Sequence, residues 1–120
     1  MEPNFSSSEH WTDLINRNLA QSQIEGGVDL RQVPAETILE VRTRNHSYTI
    51  VTKESGRALI CGHPEYCPEP VLVRIKGSTW GGAMLKEDFI GRGMRMEFQR
   101  GGERPIVTSP VIEIEERHAA

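Results

Sequence analysis

Residues 37–52 read Thr-Ile-Leu-Glu-Val-Arg-Thr-Arg-Asn-His-Ser-Tyr-Thr-Ile-Val-Thr, and this stretch decides the fold. Leu39, Val41 and Thr43 alternate with Ile38, Glu40, Arg42 and Arg44; after Asn45-His46, Tyr48, Ile50 and Thr52 take up the same alternation. A period of two sends successive side chains to opposite faces of a strand, and the short polar break between the runs reads as a hairpin turn.

The pattern continues toward the C-terminus. Glu54-Ser55-Gly56 supplies a second turn, with Gly56 suited to a positive φ. Residues 57–61 form a third strand. Residues 63–70 hold three prolines and are excluded from a central strand, because proline cannot donate to the ladder. Residues 71–76 form a fourth strand with Val71, Val73 and Ile75 inward. A loop follows at Gly77-Ser78-Thr79-Trp80-Gly81-Gly82, and Met84, Leu85, Phe89 and Ile90 make a short strand or turn. Met94, Met96 and Phe98 alternate with Arg95, Glu97 and Gln99 as a half-buried strand. Residues 105–108 and 111–115 close the series, interrupted by Pro110. Many short strands with Gly/Pro turns between them predict a mainly β protein, a small antiparallel barrel or sandwich.

Upstream the period changes. Ser6-Ser7-Ser8-Glu9 fits a capping box, and Trp11, Leu14, Ile15 and Leu19 follow at i, i+3, i+4 and i+8, which predicts a short N-terminal amphipathic helix ended by Gly26-Gly27. So short a helix must dock, on the barrel itself, on a second copy or on a protein partner. The expected organisation is a helical arm and connector over residues 1–35, a β domain over 36–116 and a frayed tail at 117–120.

Composition narrows the function. The chain has 120 residues, 37% hydrophobic and 26% charged, which suits one globular domain. Its net charge of −3 argues against a dedicated nucleic-acid binder. No apolar run approaches a membrane span, and residues 1–8 lack the basic and apolar regions of a secretory signal. The expectation is therefore a cytoplasmic protein with no membrane association and two reduced cysteines.

Cys61, His63 and Cys67 are the most provocative cluster, since thiolate and imidazole are preferred zinc ligands. Their spacing matches no zinc knuckle or ribbon, and a fourth ligand would have to come from Glu65 or His46. Free thiols, a redox-responsive Cys61–Cys67 bridge and a metal site stay open in that order. Ser78 misses the Gly-x-Ser-x-Gly elbow by one position, and the Gly-rich pieces match no phosphate-binding loop. No cofactor and no catalytic set is expected.

What remains is a surface. Between residues 74 and 104 seven bases face four acids, a local +3 in a chain of −3. Arg74, Lys76, Arg92 and Arg95, with Trp80 and Lys86 in the neighbouring loop, are the candidate binding residues. They suit a non-enzymatic, protein-interacting or regulatory module; the alternative is a small barrel binding a nucleotide, a nucleic acid or another phosphate ligand.

Several pieces carry a resemblance: Arg44-Asn45-His46-Ser47-Tyr48, Ile60-Cys61-Gly62, the run from Val73 through Lys86, Ile90-Gly91-Arg92-Gly93-Met94, and Val107-Thr108-Ser109-Pro110-Val111. Through them residues 41–114 resemble a group of small uncharacterised bacterial proteins, a resemblance that implies no activity and no site residue. PilZ-type cyclic-dinucleotide barrels are similar in size and strand number only. Arg42-Thr43-Arg44 lacks their Arg-x-x-x-Arg spacing, and Asn45-His46-Ser47-Tyr48-Thr49 is followed by Ile50 rather than glycine.

Overall fold

The alternating runs pair as strands in the computed structural model, which describes residues 19–24, 26–80 and 84–119. In chain order the elements are β1 (Leu19–Ile24), β2 (Gly27–Asp29), a 3-10 turn (Leu30–Gln32), β3 (Ile38–Thr43), β4 (Ser47–Thr52), β5 (Arg57–Cys61), β6 (Val71–Thr79), β7 (Leu85–Glu87), β8 (Phe89–Gly91), β9 (Arg95–Gln99) and β10 (Ile106–Ala119). β10, β3, β4, β5, β6 and β9 pair in that order, and β9 returns to β10, so six antiparallel strands close a barrel. Of the two expected architectures, the barrel is the one formed.

Register follows the period-two pattern. Val41 lies opposite Tyr48 and Leu39 opposite Ile50. Ile50 then meets Ile60, and Ile75 meets Phe98. These side chains fill one cluster with Met96, Val111 and Ile114, each at most 2% exposed. The Lys53–Arg57 turn is a tight hairpin in which Ser55 and Gly56 both take positive φ (61° and 75°), the geometry whose twist matches its flanking strands. At Gly77, φ is +146°, and an added Cβ would collide with the carbonyl oxygen of Lys86, so only glycine lets β7 approach β6 this closely.

Three expectations are corrected. Leu19–Ile24, expected to finish a helix, is a strand paired with residues 114–119 of β10. The reason is local: β9 pairs β10 only as far as Pro110, leaving an edge whose backbone groups need partners. No α-helix occurs among the described residues, and the rest of the expected helix lies outside them. Secondly, the connector of residues 27–35 is part of the body. Val28 is buried in the core, and Leu30 and Val33 pack against it. Thirdly, residues 117–119 continue β10 rather than fraying, and Pro110 sits inside that strand, opposite Arg95 where the register shifts. A bulge tolerates proline because no ladder bond is asked of it there.

Because Leu39 is wholly enclosed, Leu39→Ala is expected to lower unfolding free energy by about 2–5 kcal/mol. Val107→Ala, at a half-exposed position, should stay within about 0.5 kcal/mol; urea titration of both variants checks the contrast.

Candidate functional site

The expected binding residues fall into separate places. Along β6, Arg74 lies opposite Gln99 and Thr79 opposite Arg95, so the Arg74 and Arg95 rows stand about 16 Å apart. Arg95 Nη1 donates to the carbonyl of Thr108 at 3.3 Å, and Arg92 Nε to that of Ile112 at 3.1 Å. Both carbonyls belong to stretches of β10 where pairing with β9 or β3 shifts register. A bulge leaves backbone groups without ladder partners, and these two guanidinium groups fill that role. Lys76 sits in the β6 bulge, where its carbonyl accepts the amide of Asp88 at 3.1 Å. The six residues read from sequence therefore do not converge on one point.

Trp80 and its neighbours behave differently. Trp80 directly follows β6 and is 69% exposed; across the hairpin Met84 is 75% exposed and Leu85 36%. The base beneath them is fixed. Ser78 is fully buried; its hydroxyl donates to the Phe89 carbonyl at 2.7 Å and accepts from the Gly91 amide at 3.3 Å. The Ser78 hydroxyl is thus a cross-link between β6 and β8. The Lys86 ammonium lies 3.9 Å from the centre of the Phe89 ring, a cation–π contact. Large apolar side chains thus project from a hairpin whose stem is clamped.

A second feature is an open groove of about 600 Å³ beside the 3-10 turn, lined by Leu30, Val33, Arg31, Lys53, Arg74 and Asp88 among others. Arg31 is held by Asp29 (3.0 Å) and Lys53 by Glu36 (2.7 Å). Arg74 makes no ion pair among the described residues, and it stands directly across the ladder from Arg57.

The Cys/His loop does not assemble as a ligand set. Cys61 lies opposite Thr49 on the outer face, where its thiol donates to the Pro68 carbonyl at 3.5 Å; Cys67 is fully buried in the inner cluster. Both thiols are free. Burial pushes both above the ordinary cysteine pKa, which disfavours the thiolate that metal binding and disulfide exchange require. Among the described residues no three His, Cys, Asp or Glu side chains are grouped to hold a metal.

Instead the loop builds an aromatic stack that the sequence reading missed. The rings of His46 and His63 are 4.2 Å apart and those of His63 and Tyr66 4.4 Å, with Tyr48 stacked at 6.5 Å from His63. Burial pushes the Tyr48 hydroxyl up to about 12, with Cys67 and Tyr66 adding to it. His63 Nδ1 accepts the amides of Glu65 (3.0 Å) and Tyr66 (3.2 Å), which puts the ring proton of the neutral form on Nε2. The only early signal was two histidines flanking strands that pair, His46 before β4 and His63 after β5.

No family model, curated protein or solved structure matches this chain. No helix among the described residues is long and apolar enough to cross a membrane.

Partial burial, then the neighbouring His46, hold the His63 pKa below its usual 6.5. A depressed histidine pKa favours the neutral ring in the folded state. Its contribution is therefore complete above about pH 6.5 and declines as pH falls through that value toward the folded pKa. Denaturant midpoints measured from pH 7.5 to 5 should fall on acidification, and less steeply in His63→Gln; equal slopes would remove this role for His63.

Proposed function

We propose that this protein is a non-enzymatic binding module that engages a protein partner through the tip of the β6–β7 hairpin. The observation that carries the reading is the exposure of Trp80, Met84 and Leu85 on a clamped stem. Aromatic residues and methionine are enriched where partners bury a contact, and a preordered stem reduces the entropy lost on docking. The barrel interior supports the same reading, since aliphatic and aromatic side chains occupy it. The partner this tip suits presents an apolar cleft.

The test is comparative. Trp80→Ala/Met84→Ala should keep the wild-type melting temperature while losing at least about tenfold in affinity for any protein that wild type captures from its native lysate. An identical captured set, bound equally well, would overturn the proposal.

The Arg57–Arg74 opposition favours a second reading, a phosphate-bearing ligand in the groove. Like charges directly across a ladder destabilise it, and a bound anion relieves that repulsion. Inorganic pyrophosphate should then raise the melting temperature of wild type, weakly at high salt, and leave Arg74→Ala unchanged; no shift in wild type would end this reading.

A further inference from the structure

Side chains two residues apart on a strand share a face. Leu59 therefore stands beside Arg57 on β5, and Leu72 beside Arg74 on β6. Leu59 lies opposite Leu72 just as Arg57 lies opposite Arg74. The intervening Ala58 and Val73 belong to the inner cluster, so this block of four faces outward. A cationic pair and an apolar pair thus stand about 7 Å apart along the strands. Leu72 is 49% exposed, with no described polar group between it and the arginines on that face.

The block borders two hollows. The groove beside the 3-10 turn reaches Arg74. A second open cavity, of about 490 Å³, is lined by Ala35, Leu59 and Leu72 together with Arg57 and Lys53. Both hollows have Ala35, Lys53 and Glu54 in their walls, so they meet along the Lys53–Arg57 turn, and each takes one member of the arginine pair. An apolar cavity with a few charged groups at one end is the usual form of a small-molecule site.

The charges around the block leave the arginines available. Lys53 is held by Glu36 at 2.7 Å and Arg31 by Asp29 at 3.0 Å. Among the described residues the carboxylates of Glu54 and Asp88 make no ion pair with Arg57 or Arg74. A dianion between the two guanidinium groups therefore displaces no carboxylate, and phosphate oxygens match the planar donor fork of arginine.

We propose that the outer face of β5 and β6 binds a single-chain alkyl phosphate, with its head between Arg57 and Arg74 and its chain along Leu59, Leu72 and Ala35. The proposal rests on the phosphate reading of the arginine pair and names the rest of the ligand. The apolar strip is one leucine pair wide, which suits one chain. Covering it removes both the chain and Leu72 from water.

The test is calorimetric titration of the full-length protein with methyl phosphate, with octyl phosphate below its micelle-forming concentration, and with octanol. Octyl phosphate is expected to bind at least about tenfold tighter than methyl phosphate, the worth of two buried methylenes, and octanol to give no measurable heat. Leu72→Ser should bring octyl phosphate down to the methyl phosphate level while pyrophosphate still raises the melting temperature. Arg57→Ala/Arg74→Ala should lose the response to both. All three side chains are exposed, so these variants keep the fold. Equal affinity for octyl and methyl phosphate would overturn the proposal, and a surviving pyrophosphate shift would then leave the phosphate reading of the arginines standing. A chain-dependent gain that persists in Leu72→Ser, or octyl phosphate binding that persists without the two arginines, would also overturn it. So would binding to phosphatidate vesicles without binding to free octyl phosphate, which would make the ligand a bilayer surface.

Discussion

β10 is hydrogen-bonded along both edges, and the barrel exists because of it. β3 takes one edge, while β9 and then β1 share the other. Fourteen residues long, it is the strand through which the sheet curls back on itself, and closure removes the unpaired edges that an open six-stranded sheet would offer to other chains. Both register shifts along β10 follow from this duty. A strand that serves three neighbours must bend, and each bulge bends it while freeing a backbone group.

The basic residues read differently once those bulges are seen. Arg92 and Arg95 return hydrogen bonds to carbonyls of β10, Lys86 covers Phe89, and Arg74 alone of this group opens onto a groove without an acidic partner among the described residues. Two of the seven local positive charges thus serve closure of the barrel. The surface with the least structural duty is apolar: Trp80, Met84 and Leu85 stand at the end of a hairpin that Ser78 and Gly77 hold in place.

The loop of residues 61–70 shows how one-dimensional spacing misleads. Cys61, His63 and Cys67 look like a ligand triplet because they are close in sequence. Strand parity sends Cys61 outward, and the turn that follows carries Cys67 into the core. His63 is turned toward His46 instead, a residue distant in sequence that becomes a neighbour because β4 pairs with β5. That stack depends on a long-range pairing, which local pattern does not encode.

Periodicity by itself determined the strands β3 and β4 and the inward set of Leu39, Val41, Tyr48 and Ile50, because a side-chain period of two is a local property of an extended chain. It also marked Gly56 and the loop holding Trp80. Tertiary structure alone decided that Leu19–Ile24 extends as a strand, that residues 27–29 belong to the body, and that β9 meets both β6 and β10. Those outcomes turn on which backbone edges lie open after the other strands have paired, and an edge is a property of the assembled sheet rather than of any residue.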